Sequence, residues 1–288
     1  MTAKILDGKA LANFIIGGIR KKIDDRVDND RRRPGLAVII VGEDHASHIY
    51  VRNKRRSCEE AGILSRAYDL PVETTEDELL SLIDQLNEDA DIDGILVQLP
   101  LPAHLPETRI TDHISPLKDV DGFHPDNMGR LTLGQPVLRP CTPKGIMTML
   151  SDAEIDLRGR HAVIVGRSNI VGRPLVLEFL NRDATISCCH SRTVDLGRFV
   201  GMADILVASV GKPGVIDSEW IKPGAVVIDV GINRSPDGSL CGDIDFETAK
   251  MRAGLITPVP GGVGPMTIAS LMENTLLSAE MRDTRMLT

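Results

Sequence analysis

The run Arg160-His161-Ala162-Val163-Ile164-Val165-Gly166 passes straight into Arg167-Ser168-Asn169-Ile170-Val171-Gly172-Arg173-Pro174, and few folds accept that order. An unbroken apolar stretch of strand length belongs in a sheet covered on both faces. A strand, a glycine turn and a helix start in succession can hold phosphate on the backbone N–H groups at the helix N-terminus. The spacing departs from the strict fingerprint, because Gly166 and Gly172 stand six apart with Ser168 between them, and a G-x-G-x-x-G scan fails. A tight crossover that binds nothing is also consistent with this turn. The continuation adds weight. A second strand, Ala184 to Cys189, ends at His190-Ser191-Arg192. NAD sites usually place an acid there for the ribose 2′-hydroxyl, whereas a hydroxyl and a cation suit a 2′-phosphate, which points to NADP. Further strands at 204–209 and 225–230 run into Val210-Gly211-Lys212-Pro213 and Gly231-Ile232-Asn233.

The first half repeats the alternation. Asp7 caps an expected helix over about 8–28, which Arg33-Pro34-Gly35 breaks, and Leu36 to Val41 is a second continuous apolar strand. A helix over 48–61, a weaker strand at 65–70, a helix opened by Thr74-Thr75-Glu76-Asp77-Glu78 and a strand over 92–99 complete a parallel α/β unit. On the 48–61 helix, Tyr50, Lys54, Cys58 and Ala61 share one stripe, while Arg52, Arg55, Arg56, Glu59 and Glu60 lie away from it. Lys54 is therefore either a snorkelling side chain or a lysine desolvated enough to accept a proton. Ligands of parallel sheets gather outside the carboxyl ends of the strands. Gln98 stands at such an end, where it either meets Lys54 or satisfies loop backbone.

From Pro100 to Pro143 the chain is loop-like, with one short helical pattern near 105–114. Within it Asp119 and Asp121 either line a cleft or form Asx-turns. A helix from about 141 to 151 bridges to the second domain. Near the end, Thr257-Pro258-Val259-Pro260-Gly261-Gly262-Val263-Gly264-Pro265 opens a helix running to about 281. Its clustered glycines imply that a ligand or a neighbouring domain approaches the backbone.

At 288 residues, 42% apolar and only 3% aromatic, the chain suits an aliphatic-rich α/β enzyme. A net charge of −8 argues against a nucleic-acid binder, and Arg31-Arg32-Arg33 reads as a solvated loop. The five cysteines, 58, 141, 188, 189 and 241, show no C-x-x-C and no zinc spacing. No metal is expected, and reduced thiols fit the cytoplasm. No apolar run near the N-terminus could span a bilayer and no signal peptide is evident, so no membrane association is expected.

Six segments together resemble the bifunctional methylenetetrahydrofolate dehydrogenase/methenyltetrahydrofolate cyclohydrolases: Tyr50 to Lys54, Asp93 to Pro102, Lys118 to Gly122, Pro140 to Pro143, Gly166 to Pro174 and Pro258 to Thr267. The resemblance implies two α/β domains flanking a cleft. Residues 1–139 and 266–288 would form the folate-binding catalytic domain, and 140–265 a Rossmann-type NADP-binding domain. It implies Lys54 as the central catalytic residue, Gln98 as its positioning partner, Tyr50 as a platform stacked on folate and Asp121 as the group holding the pterin. Val97, Leu99 and the loop Pro260, Gly261, Gly262, Val263 and Gly264 would complete the folate site. Gly166, Arg167, Ser168, Ile170, Ser191, Arg192 and Ile232 would hold NADP. It further implies tetrahydrofolate one-carbon derivatives as substrates and a homodimer. A monofunctional dehydrogenase and a catalytically inactive NADP-binding scaffold are the alternatives. A short-chain dehydrogenase, which shares the Tyr-x-x-x-Lys spacing, is disfavoured because its glycine turn precedes that pair.

Overall fold

The computed structural model describes residues 2–43, 45–235 and 237–286, without the side chains of 45–49, 285 and 286. In chain order the elements are β1 (Lys4–Ile5), α1 (Gly8–Asp28), β2 (Gly35–Val41), α2 (His45–Ala61), β3 (Leu64–Leu70), α3 (Glu76–Glu88), β4 (Gly94–Val97), α4 (Glu107–Asp112), α5 (Pro125–Thr132) and α6 (Cys141–Asp152). There follow β5 (His161–Val165), α7 (Gly172–Leu180), β6 (Thr185–Cys189), α8 (Leu196–Met202), β7 (Ile205–Ala208), β8 (Val226–Asp229), β9 (Asn233–Arg234), β10 (Leu240–Cys241), α9 (Phe246–Ala249), β11 (Leu255–Ile256) and α10 (Val263–Met286).

The chain divides into two compact units, one of Asn13–Cys141 with Ile268–Thr288, the other of Met1–Ala12 with Thr142–Thr267. The expected domain of residues 1–139 therefore loses its first segment. β1 pairs in parallel with β11, and a two-residue strand is too short to show any periodicity.

In the first unit the sheet order is β3-β2-β4, all parallel. Every residue of β2 and β4 is buried, as continuous apolar strands require. Ile83 and Leu86 of α3 pack with Ile39 and Ile95 in the core. A capping box at Thr75 and Glu78 starts α3. β4 is shorter than the expected 92–99 because the buried Asp93 is spent on anchoring its entrance: its carboxylate takes both Arg32 Nη atoms at 2.7 Å and the Gly35 N–H at 2.9 Å. Gln98 and Leu99 thus lie just past the strand. In the loop-like stretch, α5 was not expected; Pro125 at its start and the His124 cap make it helical.

In the second unit six parallel strands run β1-β11-β8-β7-β5-β6, and β9 and β10 form a separate hairpin. Val163, Leu206, Val227 and Ile256 from neighbouring strands close its core with Val200 of α8. In each sheet the first strand of the αβ series is central, with its successor on one side and the third strand on the other. That creates a topological switch point between β2 and β4, and another between β5 and β7.

Candidate active site

The stripe read from the sequence is real. On α2, Tyr50 is half-buried and Lys54 and Cys58 are buried, with Lys54 only 7% exposed. The Lys54 ammonium donates to Gln98 Oε1 at 3.0 Å. Gln98 Nε2 donates in turn to the Leu99 carbonyl at 2.6 Å, which fixes the amide with its oxygen toward the lysine. The Gln98 backbone N–H donates to Ile39 O, so the pair stands at the carboxyl edge between β2 and β4. Of the two readings, snorkelling fits less well, because the ammonium ends in a side-chain contact at a buried position. Burial pushes the Cys58 thiol up to about 12, which leaves no thiolate nucleophile on this face.

Asp121 reaches the same site on a segment built for it. Ile95 N donates to Lys118 O at 2.8 Å and Ile95 bridges Asp119 in parallel, so residues 118–120 lie along the free edge of β4. Buried Lys118 donates to the carbonyls of Leu86 and Asp89, both at 2.8 Å, tying this segment to the end of α3. Asp119 then folds the turn: its carboxylate accepts from the N–H groups of Gly122, Phe123 and His124 and from Asn127 Nδ2. Gly122 turns with φ +77°, and a methyl group there would lie 2.4 Å from the Arg139 carbonyl carbon. Asp119 makes the turn, as the Asx-turn reading has it, while Asp121 lies within reach of the Lys54 charge. Burial raises the Asp121 carboxyl above the usual carboxylate range, while the Lys54 charge and the Cys141 thiol oppose the rise. Burial also raises the Tyr50 hydroxyl. Sequence reading missed Cys141 as a support of this segment; its thiol donates to Val120 O at 3.2 Å.

The second unit carries the expected dinucleotide turn at its own switch point. Gly166 has φ +131°, and a methyl group on it would lie 2.3 Å from Ser209 O. A methyl on Gly172 would lie 2.2 Å from Gly166 O. The two glycines therefore meet backbone to backbone, which explains why six-residue spacing serves where the strict fingerprint fails. Ser168 Oγ accepts from the N–H groups of Val171 and Gly172 at 3.2 and 3.4 Å, shaping the start of α7. After β6 the His190 N–H donates to Thr193 Oγ1 and the Arg192 N–H to His190 Nδ1, and Ser191 and Arg192 are exposed. The charges of Arg167 and Arg173 are felt by the Cys188 thiol, so two further guanidiniums stand near the end of β6. Ile170 and Ile232 are exposed apolar groups.

Pro260 to Gly264 also lies in this unit. Lys9 N donates to Gly261 O at 2.9 Å, and a methyl on Gly8 would lie 2.0 Å from Gly262 O. The loop is held by the first turn of α1. Among the described residues no cluster of His, Cys, Asp and Glu could hold a metal, and no helix is long and apolar enough to cross a membrane.

Residues 6–121 match the family model for the tetrahydrofolate dehydrogenase/cyclohydrolase catalytic domain, and residues 140–283 that for its NAD(P)-binding domain. A bifunctional methylenetetrahydrofolate dehydrogenase/cyclohydrolase from Campylobacter jejuni is 48% identical, with 97% of this chain and 99% of that one aligned at a TM-score of 0.95. The Trypanosoma brucei methylenetetrahydrofolate dehydrogenase-cyclohydrolase, solved with NADP and an inhibitor, is 37% identical over 98% of this chain and 99% of that one, with a TM-score of 0.94. The bifunctional enzyme of Thermoplasma acidophilum is 36% identical over 98% and 100%, with a TM-score of 0.91.

Proposed function

The chain belongs to the tetrahydrofolate dehydrogenase/cyclohydrolase family, and from that membership we infer a bifunctional enzyme of one-carbon folate chemistry. It oxidises 5,10-methylenetetrahydrofolate to 5,10-methenyltetrahydrofolate with NADP and hydrolyses the product to 10-formyltetrahydrofolate. The observation that carries the hydrolytic half to named residues is the Lys54–Gln98 hydrogen bond at the β2/β4 switch point, with Asp121 alongside.

The residues of the second unit fit NADP. Gly166, Arg167 and Ser168 form the turn that leads from β5 to the N-terminus of α7, and His190-Ser191-Arg192 places a hydroxyl and a cation where a carboxylate would repel a 2′-phosphate. Ile170 and Ile232 offer apolar surface to the rings. Bound NADP supplies the hydride acceptor. The protein's part in that half-reaction is alignment.

In the hydrolytic half, Lys54 Nζ takes a proton from the water that attacks the methenyl carbon, and Gln98 holds the amine in line. Tyr50 offers its ring face to the folate. Asp121, with Val97 and Leu99 beside Gln98, holds the pterin through a carboxyl that burial shifts above its ordinary range. We also propose a cytoplasmic homodimer. All five cysteines being free supports a reducing compartment, and exposed Trp220, Leu240 and Met251 support association through the second unit. Light scattering on the purified chain would return a monomer mass if the dimer is wrong.

The deciding assay supplies methylenetetrahydrofolate with NADP and with NAD in parallel, following reduced dinucleotide and methenyl absorbance together. NADPH formation without accumulation of methenyl product is expected. Activity confined to NAD would overturn the reading of Ser191 and Arg192, and a standing methenyl pool would indicate a dehydrogenase alone. Lys54→Met should abolish the hydrolysis; residual turnover above the uncatalysed rate would remove Lys54 from its role.

A further inference from the structure

Two carboxylates outside the catalytic set are buried at the carboxyl edge of the six-stranded sheet. Asp243 is 0% exposed and Asp229 4%. Asp243 Oδ2 accepts from the backbone N–H groups of Val210 and Gly211 at 2.6 and 3.0 Å, in the turn after β7. Its Oδ1 accepts from Asn233 Nδ2 at 2.9 Å, at the start of the hairpin after β8. Asp229, the last residue of β8, accepts from Gly231 N at 2.8 Å and, across the hairpin, from Asp243 N and Ile244 N at 3.0 and 2.9 Å. The Thr257 hydroxyl accepts from the Asp229 backbone N–H at 2.8 Å, tying in the exit of β11.

Two glycines leave room for this arrangement and for nothing else. A methyl on Gly231 would lie 2.3 Å from Asp243 Oδ1, and a methyl on Gly242 would lie 2.0 Å from Asp229 Oδ2. Each carboxylate thus closes over the other's backbone. The turns that they join, Val210-Gly211 and Gly231-Ile232, follow adjacent strands β7 and β8, and β7 borders the switch point. Neither acid points a bond at any element needed for the sheet itself: the strands are already paired by their own ladders.

We propose that Asp229 and Asp243 form a carboxylate latch that sets the spacing of the turns after β7 and β8 and so positions the surface against which NADP lies. The inference rests on the dinucleotide reading of that edge. Both residues are positioning residues: they act through the N–H groups of Val210, Gly211 and Gly231. Six hydrogen bonds to two buried side chains hold these turns, since buried carboxylates need full compensation.

The test is Asp243→Asn in the full chain, which keeps the shape but turns an amide N–H₂ or a neutral oxygen toward Val210 and Gly211. The KM for NADP should rise by about tenfold, the effect of weakening contacts made equally in the ground and transition states, with dehydrogenase kcat at saturating NADP within about twofold. Hydrolysis of methenyltetrahydrofolate without NADP is the internal control and should hold. A parallel fall of both activities with the melting temperature would mean a merely structural pair and overturn the proposal. So would an unchanged KM in Asp243→Asn, given a wild type that reduces NADP. A wild type that fails to reduce NADP would instead refute the underlying dinucleotide reading. If Asp243→Asn gives no folded protein, Gly242→Ala, which displaces Asp229 without removing either acid, must show the same rise in KM or the proposal falls.

Discussion

Replacing Gln98 with glutamate tests whether Lys54 works as a proton acceptor. The wild-type amide oxygen accepts from Lys54 Nζ at 3.0 Å, and a carboxylate at that position converts a neutral contact into an ion pair. An opposite charge this close favours a charged partner by one to three pKa units' worth of energy, about 1.4–4 kcal/mol. Gln98 is half-buried, so solvent screening argues for the lower part of that range. The new carboxylate also loses the amide N–H₂ that donates to Leu99 O at 2.6 Å; its second oxygen is repelled by that carbonyl and turns both oxygens toward the lysine. An ion pair that has to be broken before Lys54 accepts a proton costs the hydrolysis about 2 kcal/mol, roughly thirtyfold in rate. Cyclohydrolase kcat, followed as loss of methenyl absorbance in the absence of NADP, should fall by about 10- to 100-fold at neutral pH. Dehydrogenase turnover should fall less. A hydrolytic rate within twofold of wild type would refute the assignment of proton acceptance to Lys54.

Three further outcomes follow from the supports of the site. Gly122→Ala forces a side chain into φ +77° and to within 2.4 Å of the Arg139 carbonyl carbon; it should cost at least ~1–2 kcal/mol and raise the KM for the folate, both read from urea unfolding and initial rates. Lys118→Met leaves the carbonyls of Leu86 and Asp89 without their donor and should lower stability by ~2–4 kcal/mol, with release of the 118–122 segment visible as faster hydrogen exchange. The latch gives a pH signature. Burial pushes the Asp229 carboxyl up to about 6 from 3.8, so the folded state binds the proton more tightly than the unfolded chain. Stability from this group is therefore highest below about pH 4 and falls as pH rises to about 6, by roughly 3 kcal/mol at most. Comparing the unfolding free energy of wild type and Asp229→Asn across that window should show the wild type losing ground as pH rises; a pH-independent difference would contradict it.

What the sequence made legible follows from how far apart the interacting residues are. The Tyr50-Lys54-Cys58 stripe is local, and one helical period places it on a buried face. The buried strands β2, β4, β5, β7 and β8 announce themselves by continuous apolar runs. The ends were harder: β4 begins only at Gly94 because Asp93 is spent on distant Arg32 and Gly35, and its free edge is met at Ile95 by the 118–120 segment. β1 and β11 carry two residues each, below any periodic signal, so the migration of the first segment to the second sheet left no trace in the pattern. The division of labour between Asp119 and Asp121 was equally hidden, since two carboxylates two residues apart look alike until the turn is drawn.

The latch shows why such features escape sequence reading. Asp229 ends an apolar strand and Asp243 follows a hairpin, 14 residues on; only the return of β9 and β10 brings them together. What connects the legible and the hidden parts is a single topological rule used twice. In each sheet the first strand of the series lies between its successor and the third strand. The opening at their carboxyl ends receives Lys54 and Gln98 in one unit and the Gly166–Ser209 contact in the other. A polar side chain at that opening meets no strand beyond it, which is why Gln98 can serve Lys54 and why Ser209, whose hydroxyl donates to Val165 O at 3.2 Å, closes the equivalent place against Gly166. The first opening thus presents the Lys54 and Gln98 side chains, and the second a close approach of backbone at Gly166, which suits the proton transfer and phosphate binding proposed for them.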